Sequence, residues 1–407
     1  MTEASLEPES SWFERHPVAT LLPVMAVLAI GLDLAAGTVY GLLAGHSFFE
    51  RPQVKAMEAY ESEQALYRTS SPTYGHDLLP MVSVDDVSWG GTLYDIRTNS
   101  LGFKDREPRE VPLESTRRRL LFIGDSFTEG VGYPYEQTFV GIVDSVLALE
   151  GTEVLNAAVS SYSPLIYWRK VVYWVGERGL DVDEVVVYVD ISDASNDAEL
   201  YSLAPDGTVQ HADSPPDPDA LVESRPPGSG RLGWLKDALK YNTVVIAALA
   251  QFKQGVAPAP AVDNFPLDRH LSRWTIDEAT YQQYGQEGER RMAAHMDSLH
   301  AFLSSRGIPM IVAVYPWPDQ IAAGDLDSRQ VRLWRDWSAA RGARFVDHFP
   351  DFVRGETPDE RIGVLRRYYI GGDYHWNAAG HRLVAQGFLR AYGDGADAAP
   401  GHAAPTP

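Results

Sequence analysis

The chain has no cysteine in 407 residues. That excludes disulfides, thiolate metal ligands, a cysteine nucleophile and a lipid-modified cysteine anchor, and leaves the compartment open. Basic residues are scarce, with 35 Lys and Arg against 56 Asp and Glu and a net charge of −21. A balance this acidic argues against nucleic acid or an anionic lipid surface as the main partner. No Gly-rich phosphate cradle is present, and no group of His and carboxylates has metal-ligand spacing, so neither a cofactor nor a metal is expected. The sequence has no internal repeat.

Long apolar runs are almost absent too; the exception is Pro17–Ala44, whose single charge is Asp33. Its length exceeds the roughly 20 residues that span a bilayer. Glu3, Glu7, Glu9 and Glu14 outnumber Arg15 ahead of it, and the run is too long for the core of a cleavable signal peptide. The expectation is one uncleaved transmembrane helix behind an N-terminal tail (1–16), holding the rest of the chain outside the cytoplasm.

Residues 45–118 carry scattered aromatics and turn signals and are expected to pack on the domain that follows. From Arg119 strands and helices alternate, the pattern of an α/β fold with a parallel sheet. Strands are expected at Leu120–Ile123, Glu153–Asn156, Glu184–Asp190, Met310–Tyr315 and Arg344–Val346. Helices are expected at Tyr135–Leu149, Leu165–Glu177, Tyr281–Arg306, Ser328–Arg341 and Ala378–Tyr392. An insert at 196–275, rich in Pro and Gly at both ends and carrying an amphipathic helix at Leu232–Lys253, interrupts the rhythm. The tail 393–407 has the composition of a disordered segment.

Two stretches carry chemistry. Gly124-Asp125-Ser126 follows the first strand and presents a hydroxyl at a strand's carboxyl end, where ligands sit in open α/β sheets. A serine N-cap is the competing reading. A serine needs a base to take its proton and a third group to hold that base. In Asp373-Tyr374-His375, just before the last helix, Asp373 and His375 are two apart, so the carboxylate can hold one ring nitrogen while the other faces Ser126. His381 is the competing base, but its helical position suits packing or capping.

Together these stretches resemble the SGNH (GDSL-type) hydrolases, with the Asp-x-His spacing of the alginate-type O-acetyltransferase branch. The resemblance covers about residues 115–392. It implies a flavodoxin-like three-layer α/β/α fold, Ser126 as nucleophile, His375 as base and Asp373 as its orienting acid. It also implies an oxyanion hole built from the backbone N–H groups of Ser126 and Ser161. Ser161 stands where the family has Gly, after Asn156. Ser192 stands at the family's Asn position, so Ser192 or Asn196 would supply the side-chain donor; Asp193 reads as structural. The implied activity is a serine esterase or O-acyl transferase acting on acylated glycans or small esters. The alternative is a weakly active or inactive relative that binds glycan during envelope polysaccharide assembly. The aromatics of Tyr315-Pro316-Trp317 either meet sugar rings or pack the loop.

Overall fold

The computed structural model describes residues 16–44, 60–89, 92–211, 265–267 and 270–396. Two compact units divide the chain, Met1–Ser62 with Pro226–Ala259, and Glu63–Arg225 with Pro260–Pro407.

In the first unit, Pro17–Ala44 forms one 28-residue α-helix, α1, about 42 Å long at 1.5 Å per residue. Leu21, Val27, Leu28, Ile30 and Leu32 on it are exposed. Counted over the described residues, no helix is long and apolar enough to cross a membrane. Pro17–Thr20 and several later positions of α1 lie outside the described side chains. The helix expected at 17–44 is present.

The second unit opens with two antiparallel hairpins, β1 (Arg68–Ser71) with β2 (Gly75–Leu78), and β3 (Ser83–Trp89) with β4 (Thr92–Arg97). A register shift in β3 between Val84 and Val87 puts Asp86 at φ +56°, the extra-residue geometry of a bulge. Tyr67, Tyr74, Leu78, Tyr94, Ile96 and Phe103 from this region are buried in the common core. The buried Lys104 ammonium donates to the carbonyls of Gly130 and Tyr133 at 2.8 and 2.7 Å.

The centre is a five-stranded parallel sheet of β5 (Arg119–Ile123), β6 (Glu153–Asn156), β7 (Glu184–Val189), β10 (Met310–Val314) and β11 (Arg344–Asp347). A further hairpin, β8 (Tyr201–Leu203) with β9 (Val209–His211), follows β7. Every residue of β5, β6, β7 and β10 is buried, as strands covered on both faces must be. The order across the sheet is β11-β10-β7-β5-β6, a doubly wound arrangement whose direction reverses between β5 and β7.

Among the helices of this unit are α2 (Ser126–Glu129), α3 (Phe139–Leu147), α4 (Pro164–Val171), α5 (Gln286–Ser304), α6 (Arg329–Arg341), α7 (Pro358–Tyr368) and α8 (Ala378–Ala396). Right-handed crossovers put α3 on one face of the sheet and α4, α5 and α6 on the other. The contacts of α3 with α8 and of α4 with α5 agree.

Three expectations need correction. Helix α7 was not anticipated, although Thr357 and Glu360 form a capping box at its start with Pro358 in its first turn. Helix α8 continues to Ala396, past the expected stop at Tyr392, because each added residue gains one backbone bond at little cost once a helix exists. Strand character inside the insert, at β8 and β9, was also unforeseen. The helix expected at Leu232–Lys253 and the tail beyond residue 396 lie outside the described residues.

Candidate active site

Strand β5 ends at Gly124, where a Cβ would lie 2.3 Å from the Thr128 hydroxyl oxygen and 3.0 Å from the Tyr188 carbonyl. Only glycine lets the chain turn that closely over β7. Asp125 caps α2 through its side chain, which accepts the Phe127 N–H at 3.0 Å. The cap is therefore Asp125, and Ser126 occupies the first helical position with its hydroxyl 3.4 Å from Asp125 Oδ2.

That hydroxyl lies 2.8 Å from Nε2 of His375. Asp373 Oδ1 lies 2.7 Å from His375 Nδ1 and also accepts the N–H groups of Tyr374 and His375, at 2.6 and 3.0 Å. Burial alone would raise the Asp373 carboxyl, but His375 and these hydrogen bonds outweigh it and bring the group down to about 2. An ionised carboxylate only accepts, so Nδ1 carries a proton and the lone pair of Nε2 faces the Ser126 O–H. The loop is shaped by a turn in which the Asp373 N–H reaches the Ile370 carbonyl and Gly372 takes φ +83°.

Aromatic rings hold the imidazole. Phe127 packs at 4.7 Å between centroids, Tyr374 at 4.3 Å, and Trp89 meets it edge-on at 5.3 Å and 83°. The Trp89 indole nitrogen is 3.3 Å from Nδ1. Both nitrogens bear protons in this tautomer, so the approach is packing rather than a hydrogen bond. Trp89, on β3, is a contributor that no sequence pattern marked.

His381 is placed elsewhere. Its Nδ1 accepts the Phe139 N–H at 3.2 Å, and burial lowers its pKa to about 3. A neutral histidine that caps a backbone donor is not positioned to serve Ser126.

The oxyanion candidates lie beyond the carboxyl ends of adjacent strands. Phe122 and Asn156 are in register, and the Ala157 N–H donates to the Phe122 carbonyl. Four residues past Phe122 stands Ser126, and five past Asn156 stands Ser161. Among the described residues neither Ser126 N–H nor Ser161 N–H has a protein acceptor. Ser161 takes φ +66°, the left-handed conformation that Gly would hold freely and that costs another residue about 1–2 kcal/mol.

Ser192 and Asn196 are buried, and no hydrogen bond joins either to Ser126, His375 or Asp373. The Ser192 hydroxyl donates to Asp190 at 2.5 Å. Among the described residues the Asn196 side-chain amide makes no hydrogen bond. Asp193 accepts from the Asp190 N–H and the Tyr167 hydroxyl, at 3.1 and 3.0 Å. Beneath the serine, burial pushes up the carboxyls of Asp125, Asp190 and Asp193, and the Asp190 charge adds to the rise at Asp125 and Asp193. The Trp317 indole donates to Asp190 at 2.6 Å, and the Tyr315 hydroxyl to Asp125 at 3.0 Å. Both rings are buried, so they pack the loop and offer no platform to a sugar. Among the described residues no group of His, Asp and Glu could hold a metal ion.

No protein-family model and no curated protein matches the chain. Among solved structures it is similar to a catalytic mutant of Axe2, an acetylxylan esterase from Geobacillus stearothermophilus, with 16% identity and a TM-score of 0.36 over 69% of this chain and 95% of that one. It is similar to LAE5, an alpha/beta hydrolase enzyme from the metagenome of Lake Arreo, Spain (14% identity, TM-score 0.34, 69% and 97%). TesA is a third such structure (11% identity, TM-score 0.36, 67% and 97%). The likeness is too slight to carry an activity across to this chain.

Proposed function

We propose that the chain is a serine esterase or O-acyl transferase of the SGNH kind. The observation that carries this reading is the relay from Ser126 Oγ to His375 Nε2, 2.8 Å, and from His375 Nδ1 to Asp373, 2.7 Å. Ser126 attacks an acyl carbonyl as its proton passes to Nε2, and Asp373 steadies the imidazolium that forms. Negative charge develops on the carbonyl oxygen, where the N–H groups of Ser126 and Ser161, helped by the Asn196 amide, would meet it. Collapse expels the alcohol, which takes the proton from Nε2 and leaves an acyl-serine. Water or a sugar hydroxyl, deprotonated by the same nitrogen, then accepts the acyl group.

Acylated glycans and small esters are the proposed substrates. The proposed setting is outside the cytoplasm, with α1 as a membrane anchor; the apolar side chains that α1 exposes support that reading. A glycan-binding role without catalysis is favoured by one observation, the commitment of the Ser192 hydroxyl to Asp190. A fluorophosphonate probe separates the two. The esterase reading expects Ser126 to be labelled, and Ser126→Ala to lose both labelling and turnover of a short aryl ester. An unlabelled, folded wild-type protein would leave only the binding role.

A further inference from the structure

Three hydrogen bonds from three parts of the chain converge on the backbone of Ser160 and Ser161. The Glu129 carboxylate accepts the Ser160 N–H at 2.6 Å. Nε2 of His76 lies 2.8 Å from the Ser160 carbonyl. A carbonyl only accepts, so this nitrogen carries the ring proton. Tyr201 donates its hydroxyl to the Ser161 carbonyl at 2.7 Å.

The Ser160 carbonyl and the Ser161 N–H belong to one planar, trans peptide group and point in opposite directions across it. A donor that grips the carbonyl therefore fixes where the N–H aims. We propose that His76, on this peptide, and Glu129 and Tyr201, on the peptides just before and just after it, are positioning residues that together hold the Ser161 N–H facing the oxyanion. The proposal rests on the reading of Ser161 as an oxyanion donor.

The backbone needs such a clamp. Serine at φ +66° sits in a region that side chains disfavour, and such conformations persist only where the surroundings over-determine them. The supports are themselves held. Glu129 is fully buried and meets one Arg68 nitrogen through both of its oxygens, at 2.8 and 3.1 Å. The Tyr162 hydroxyl returns a bond to the His76 carbonyl at 2.6 Å, and the two rings meet edge-on at 4.9 Å. Burial lowers the His76 pKa to about 4, so near neutral pH its ring is uncharged with the proton on Nε2.

Two of the three supports come from the peripheral hairpins, His76 from β2 and Tyr201 from β8. Those hairpins are joined by the bond from the Val209 N–H to the Thr73 carbonyl, 3.0 Å. The peripheral hairpins thereby enter the catalytic apparatus as well as covering it.

The test compares full-length wild type with Tyr201→Phe, His76→Leu and His76→Gln on a short aryl acetate, with melting temperatures and binding of an aryl boronic acid as an oxyanion mimic. Tyr201→Phe and His76→Leu should lower kcat about 10- to 100-fold with KM within about twofold, and boronate affinity should fall in parallel. His76→Gln keeps an N–H near the position of Nε2 and should recover most of the loss. A packing role would lower the melting temperature and leave kcat and boronate affinity unchanged in folded protein, which would overturn the clamp. So would a glutamine variant no better than leucine. Wild type that neither turns over the ester nor reacts with fluorophosphonate would overturn the esterase reading and the clamp with it. Wild type that reacts, beside folded variants of undiminished kcat, would overturn the clamp alone.

Discussion

Ser192 and Asp190 are bound to each other twice. The hydroxyl and the N–H of Ser192 both donate to the same oxygen of Asp190, at 2.5 and 2.7 Å. A hydroxyl has one proton to give, and this one goes to Asp190.

Ser192→Ala should therefore keep kcat within about threefold of wild type while losing roughly 1–2 kcal/mol of stability, since a buried carboxyl loses one of its donors. Asn196→Ala should cost about tenfold or more in kcat with little change in KM, the mark of a contact made in the transition state. Steady-state kinetics and urea titrations check both. The opposite pattern, a tenfold kcat loss in Ser192→Ala alone, would show that the hydroxyl leaves Asp190 during turnover.

His375→Ala should lose about as much activity as Ser126→Ala, and the double variant should lose little more, because relay members act as a unit. His381→Ala should reduce stability and spare kcat in the folded fraction. Independent, multiplicative losses at Ser126 and His375 would be incompatible with a shared proton path.

Acid stability should separate two groups of opposite chemistry. The Asp373 carboxyl stands at about 2 against an ordinary 3.8. The unfolded chain takes up that proton first, so the stability Asp373 contributes is complete above about pH 4 and fades as pH falls towards 2. His381 stands at about 3 against 6.5, so it stays neutral in the fold where the unfolded chain would charge it. Its penalty begins near pH 6.5 and grows by about 1.4 kcal/mol per pH unit down to about 3. His381→Asn keeps an acceptor for the Phe139 N–H without that titration. The difference in unfolding free energy between this variant and wild type should therefore shift in favour of the variant between pH 6.5 and 3. A pH-independent difference would refute the assignment.

The N-terminal helix should keep the full-length protein in the membrane fraction through a carbonate wash, and a chain starting at Arg51 should be recovered without detergent. Quantitative release of full-length protein would dispose of the anchor. A reporter fused after Pro407 that reads as cytoplasmic would dispose only of the orientation.

The parts legible in the sequence were those with local causes. β-branched runs such as Glu184–Val189 are long enough and apolar enough to announce buried parallel strands. Ser126, Asp373 and His375 sit in short segments whose residue types make chemical sense together. The Ser192–Asp190 bond was not legible, because a hydroxyl two residues from a carboxylate has many partners open to it until the loop is folded. Tyr315 and Trp317 could be read from the sequence either as sugar-facing or as loop packing, and buried Asp125 and Asp190, which draw their polar ends inwards, decide for packing. His76 carries no motif at all. Its hydrogen-bond partner is a carbonyl 84 positions away, and short polar strands such as β1 and β2 have no periodicity to betray them.

The hydrogen bond between Ser126 and His375 spans 249 positions. A chain leaving the ribosome can form β5, β6 and β7 and present its serine long before the base has been synthesised. The relay therefore joins two segments that meet only when the sheet has brought them together. A product cut short just before residue 375 would hold Ser126 and all five central strands and would lack His375. On the proposed reading, the Ser126 hydroxyl therefore gains its base only once His375 has been made and folded into place.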